Sequence, residues 1–158
     1  MANIVRAIGD RSIRAYIDPE RGTVSRELYV NDDIFAQELE QIYQRCWLLL
    51  GHESQIPNPG DFVVTRMGTE EVLMVRDRKD HKIRAFLNSC RHRGMKVCRY
   101  DEGNTLVFTC PFHAWTYDTK GKLVGVGFGN YANAYTDTLP TGSEEWGLVE
   151  VGQICNFY

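Results

Sequence analysis

Two stretches decide the reading of this chain: CRHRGMKVC at residues 90–98 and CPFHAWTYD at residues 110–118. The first offers Cys90 and His92, one residue apart. After 17 intervening residues the second offers Cys110 and His113. Each stretch supplies one thiolate and one imidazole. Two mixed loops of this kind can hold a two-iron, two-sulfide cluster with both cysteines on one iron and both histidines on the other. Replacing two anionic thiolates by neutral imidazoles makes such a cluster less negative and easier to reduce. The competing metal is zinc, which also accepts two Cys and two His in a tetrahedron. Zinc fingers, however, pair their cysteines in one element and their histidines in another, whereas here each loop is mixed.

Composition sets the frame. With 158 residues, 43% hydrophobic and 25% charged, the chain reads as one soluble domain. That length supports a hydrophobic core without disulfides. A net charge of −3 gives no reason to expect nucleic acid. The strongest apolar run, Trp47 to Leu50, is far short of a membrane span. The N-terminal MANIVRAIGDRSIR is basic but has no apolar stretch, so it is not a secretory signal, and a cytoplasmic location is expected. Five cysteines are present, and the three outside the pair, Cys46, Cys98 and Cys155, show no regular spacing, which suits a reducing compartment. Cys46 and Cys155 are read as buried small hydrophobes. The other histidines, His52 and His81, are read as structural or surface residues.

Along the chain, residues 1–30 read as an irregular arm with a turn from Asp18 to Gly22. Asn31 or Asp32 can cap a helix running to about Arg45, with Ile34, Phe35, Leu39, Ile42, Tyr43 and Cys46 on one face as packing surface. Pro57 to Gly60 forms a turn. Short strands are predicted at 62–66, 72–76, 83–88, 106–109, 116–118 and 122–126, and two more between Leu148 and Tyr158. Turns fall at 67–68, 77–82, 100–104 and 119–121. The predicted class is mainly β: a small antiparallel sandwich or barrel with a two-loop cluster-binding subdomain and an N-terminal helix. Residues 1–45 form the arm and helix, and residues 46–158 the cluster domain. The loops leave the scaffold as two fingers, ending near Gly94 and Trp115.

These loops, together with RCWLLLGHESQIPNPGDF at residues 45–62, resemble the Rieske domain of aromatic ring-hydroxylating dioxygenase alpha subunits, and the similarity runs from Tyr16 to the end. The resemblance implies a [2Fe–2S] cluster on Cys90, His92, Cys110 and His113, with Arg93, Gly94, Trp115 and Tyr117 around it. In high-potential Rieske proteins an extra cysteine in each loop forms a disulfide. The matching positions here are Met95 and Phe112, so that link cannot form. The serine that bonds a bridging sulfur in those proteins is replaced by Trp115, while the tyrosine donor is kept as Tyr117. Fewer donors to sulfur place the potential in the lower part of a range of about −150 to +300 mV. Trp115 is expected to pack over the cluster and exclude water. Arg91 and Arg93 are surface arginines, and their charge suits an acidic electron donor or a neighbouring subunit. Relatives often carry Gly where this chain has Ala114, a change expected to leave ligation undisturbed.

The implied function is electron transfer. Electrons would pass from NAD(P)H through a reductase, often by way of a ferredoxin, to the cluster, then to a mononuclear Fe(II) that dihydroxylates an arene. That iron, held by two His and one carboxylate, would lie in a catalytic domain absent from this chain. Only His52 and His81 remain to serve it here, with 28 residues between them and no matching carboxylate pattern. The chain alone is therefore expected to hydroxylate nothing. The resemblance further implies neighbouring alpha subunits in a trimer, with or without beta subunits; net charge and the short apolar runs leave neither nucleic acid nor membrane as an expected partner. The alternatives are a free-standing Rieske ferredoxin, which would lack the long N-terminal segment, a Rieske monooxygenase fragment, and, more remotely, a zinc-stabilised binding module.

Overall fold

The computed structural model describes residues 12–127, 145–152 and 154. Cys155 and most of the predicted last strand lie outside the described residues. The chain divides into two compact units, Met1–Leu48 and Leu49–Tyr158.

The first unit is more ordered than an irregular arm. A single helical turn, Ile13–Tyr16, is followed by a two-residue hairpin of β1 (Ile17–Asp18) and β2 (Thr23–Val24). Asp18 Oδ1 accepts from the Glu20 and Arg21 amides, and Gly22 has φ +62°, so the expected turn is there. After α1 (Glu27–Val30), Asn31 caps α2 (Asp32–Glu38), its Oδ1 accepting from the Asp33 and Ile34 amides. The helix does not continue as α to Arg45. Leu39–Tyr43 widens into a π-helical turn closed by Gln44 N–H on Leu39 O. On the predicted apolar stripe Ile34 is buried, while Phe35, Ile42 and Tyr43 are exposed. Cys46 is exposed as well, which corrects the expectation of a buried thiol.

The second unit holds two antiparallel sheets around one core. The first contains β3 (Asp61–Met67), β4 (Glu70–Arg76), β5 (Ile83–Leu87) and β6 (Glu102–Asn104) in the order β5-β4-β3-β6. The second contains β7 (Val107–Thr109), β8 (Thr116–Asp118) and β9 (Leu123–Gly125) in sequence order. β3 and β4 meet through a two-residue turn with Gly68 at φ +62°, the conformation a tight hairpin needs at its first turn position. β4 is an inner strand, and its Val72, Leu73, Met74 and Val75 are all buried, so both faces are covered. Leu73 and Val75 join Phe62, Phe86, Phe108, Tyr117 and Leu123 in the shared core, with Phe62 and Phe108 in edge contact at 5.4 Å.

One strand was hidden in the sequence. Residues 100–104 read as a turn, yet β6 pairs with β3, Gly103 opposite Phe62. A Cβ at Gly103 would sit 3.1 Å from the Phe62 ring, so the residue that suggested a turn serves instead as a flat seat for that ring. Residues 148–151 make no full strand among those described. They add one bridge, Phe86 with Glu150, and backbone bonds to Gly121, Leu87 and Ala85.

Asp77 fastens the two sheets. Its buried carboxylate accepts from the Lys79 and Asp80 amides at 2.9 and 2.8 Å and from the Thr119 hydroxyl at 2.6 Å. Burial alone would raise its pKa; the hydrogen bonds, that of Thr119 first, outweigh burial and hold it below the usual carboxylate value. Beside Thr119, Gly121 has φ +79° and lies under Phe86, whose ring a Cβ would meet at 2.5 Å. Left-handed strain and overpacking then add, and Gly121→Ala should cost about 3 kcal/mol of unfolding free energy, read from chemical denaturation.

Candidate cluster site

The two loops have the same backbone circuit. In the first, Gly94 N–H donates to Cys90 O at 2.8 Å and Cys90 N–H to Met95 O at 2.8 Å. In the second, Ala114 N–H donates to Cys110 O at 3.0 Å and Cys110 N–H to Trp115 O at 2.8 Å. Each circuit closes on a residue in the left-handed region, Gly94 at φ +70° and Ala114 at φ +56°. The histidines differ in offset from their cysteines, but the loops that carry them are equivalent.

The predicted ligands meet in pairs: His92 and His113 have ring centroids 4.7 Å apart, and Cys90 lies against Cys110 with both buried. Burial pushes the Cys90 thiol above its ordinary pKa; the Tyr117 hydroxyl opposes the rise and the neighbouring Cys110 adds to it. Two buried thiols side by side give up their protons together only to a cation between their sulfurs. Burial, with His113 and Arg93 contributing, holds His92 below its usual pKa, so it is the neutral imidazole that a metal requires. His113 Nδ1 is buried with no hydrogen-bond partner. An orphaned lone pair or N–H there is costly unless the nitrogen binds a metal. Among the described residues, no three His, Cys, Asp or Glu side chains gather round one point as a single ion would need. Two ligands at each of two irons is the arrangement this donor set suits, since the histidines pair with each other and the cysteines with each other.

The surroundings hold the loops without a covalent tie. Asn88 clamps the return arm of the first loop, its amide nitrogen donating to Cys98 O and its oxygen accepting from Cys98 N–H, both at 2.8 Å. Lys96 forms an ion pair with Glu71 at 2.8 Å. Between loops, Trp115 stacks on His92 at 4.8 Å and 9°, and the Arg93 guanidinium lies 5.8 Å from the centre of the Phe112 ring. Met95 and Phe112, at the positions of the missing disulfide, are both exposed. Asn88 and the Arg93–Phe112 contact were not legible beforehand; only the asparagine's place at the mouth of the loop could have suggested a clamp.

Tyr117 spans the loops. Its hydroxyl lies 3.2 Å from Cys90 Sγ and accepts from Arg91 N–H at 3.2 Å. Burial first, then Cys90, hold this phenol well above its ordinary pKa, so it keeps its proton and can donate to the sulfur. His52 caps a short helical turn through Nδ1, accepting from Ser54 N–H, and His81 is exposed at φ +60°. No described helix is long and apolar enough to cross a membrane.

A mainly β domain with two matched Cys/His loops is a scaffold for a two-iron cluster. Residues 46–134 match the family described as the Rieske [2Fe-2S] domain, and the chain belongs to it. Among curated relatives, the biphenyl dioxygenase subunit alpha of Metapseudomonas furukawaii is 50% identical over 117 residues, 74% of this chain and 25% of that protein. The chain thus spans about a quarter of the curated relatives it matches. Among solved structures, naphthalene 1,2-dioxygenase from Rhodococcus sp. bound to indole is 40% identical with a TM-score of 0.72, covering 79% of this chain and 27% of that one. A quaternary ammonium Rieske monooxygenase is 28% identical with a TM-score of 0.64, covering 78% and 33%.

Two outcomes follow from the loop geometry. Ala114→Gly removes a Cβ from the left-handed region and should stabilise the domain by about 0.5–1 kcal/mol in thermal unfolding, with the visible spectrum unchanged. Tyr117→Phe removes a donor that favours the more negative reduced state. Voltammetry should find its potential lower by some tens of millivolts, since about 1 kcal/mol corresponds to about 43 mV for one electron.

Proposed function

We propose that Cys90 and Cys110 hold one iron and His92 and His113 the other, and that the chain is the electron-transfer part of an aromatic ring-hydroxylating dioxygenase alpha subunit. The observation that carries the ligand assignment is the pair of matched loops, with His113 Nδ1 buried and unpartnered between them. A [2Fe–2S] cluster held there supplies a one-electron carrier. The protein's part is to shield and tune it. The buried cysteines supply charge, His92 is kept neutral, Tyr117 donates to Cys90 Sγ, and Trp115 covers a histidine face.

The donor is proposed to be an acidic ferredoxin or an NAD(P)H-dependent reductase. Residues 90–100 carry Arg91, Arg93, Lys96 and Arg99 with no acid among them, in a chain of net charge −3. Arg91, Arg93 and Arg99 are exposed, so an acidic partner is steered toward the loops. The acceptor is proposed to be a mononuclear iron in the part of the protein that relatives carry beyond the matched quarter, reached in a neighbouring alpha subunit of a cytoplasmic oligomer. The arene class of substrate is inferred from the biphenyl and naphthalene in the relatives' names. Greater identity to those dioxygenases than to the monooxygenase favours dihydroxylation. The ordered N-terminal unit favours an alpha subunit over a free-standing carrier.

Cysteine replacement tests the ligand set. Cys90→Ser and Cys110→Ser should each abolish the visible absorption and the paramagnetic signal of the reduced protein, while Cys46→Ser and Cys98→Ser keep both. A normal cluster in either of the first two variants would remove the assignment.

A further inference from the structure

The two histidines are braced unequally. His113 faces Phe112 at 3.8 Å with a 36° tilt, and Phe112 is 55% exposed. His92 lies parallel to Trp115, which is 3% exposed. Behind Trp115 stands a third ring: Trp146 meets it edge-on at 5.9 Å and 76°. Trp146 belongs to neither loop. Its segment is fastened to the sheets by backbone hydrogen bonds, Leu148 N–H to Gly121 O at 2.7 Å, Leu87 N–H to Val149 O at 2.9 Å and Val151 N–H to Ala85 O at 2.8 Å. The order of support is therefore sheet, Trp146, Trp115, His92.

We infer that Trp146 is a positioning residue for His92, acting through Trp115. A metal-bound imidazole can turn about its nitrogen–metal axis, and partners beyond the ligand fix that angle. Here the fixing surface is an indole face, and Trp146 keeps that indole from sliding. The brace also keeps water from one face of the ligand. Water there would favour the more negative reduced state and raise the potential. The inference rests on His92 being a cluster ligand.

The test uses the full 158-residue chain loaded with iron and sulfide, as wild type, Trp146→Phe, Trp146→Leu and Trp47→Leu. Trp47 lies 62% exposed in the first unit and controls for loss of an indole. Metal content, the paramagnetic spectrum after dithionite reduction and the potential from film voltammetry are compared. Trp146→Leu should shift the potential upward and change the spread of g-values at wild-type metal content. Trp146→Phe should stay close to wild type, and Trp47→Leu should match it. A leucine variant identical to wild type, or leucine and phenylalanine variants shifted equally, overturns the inference, because volume alone would then account for the residue. If Trp146→Leu loses its cluster, Trp115→Phe decides. That change alters the surface in direct contact with His92 and must displace the spectrum more than Trp146→Phe; the reverse order refutes the brace. A wild-type chain without a Rieske signal removes the ligand assignment and the brace together.

Discussion

The site depends on one backbone constraint: a cysteine carbonyl that accepts from the residue four positions on, closed through a left-handed corner. It occurs twice, at Cys90–Gly94 and Cys110–Ala114. The circuit curls each loop the same way, and the curled loops bring His92 against His113 and Cys90 against Cys110. It also sets what may occupy the corner. Glycine enters that region without strain; alanine does so at a cost of about 1 kcal/mol. The second loop bears this strain and is packed closely by Gly127, where a Cβ would collide with His113 O and Ala114 Cβ. Glycine at 127 thus makes room for alanine at 114.

The sheets matter because they anchor both ends of each loop. β5 leads into the first loop, and Asn88 ties its return to its start. β7 and β8 are the stem of the second loop, paired from Val107–Asp118 to Thr109–Thr116. Tyr117, on that stem, reaches across to Cys90 in the other loop. A displacement of either sheet would therefore change the sulfur environment, and Asp77 with Thr119 resists that displacement between the β4–β5 loop and the turn after β8.

The parts legible in the sequence were those with local signatures. Cys90, His92, Cys110 and His113 stand out by residue type and spacing, β3, β4 and β5 by apolar runs between turn residues, and β8 by the turn at 119–121 that it flanks. The Asn31 cap was legible because capping is local chemistry. What was missed depends on contacts between distant segments. Gly103 and Asn104 look like a turn unless Phe62 is known to lie opposite. The end of α2 widens into a π-turn that the apolar spacing did not reveal. Cys46 looked buried because its neighbours are apolar, yet it is exposed. Trp146, 31 residues after Trp115 in the chain, carries no local mark of its place behind that ring.

The exchange of cysteines for Met95 and Phe112 has a consequence for how the pocket behaves around thiols. Its loops are joined by a stacked ring pair, a cation over an aromatic face and a tyrosine hydroxyl, none of which a reductant can cleave. The described cysteines are all free. A thiol-rich medium that would sever a bridged pair of loops leaves this closure intact, and an oxidising one finds no cysteine at either bridging position. The tie between the two loops is thus one that thiol–disulfide exchange in the surrounding solution neither makes nor breaks.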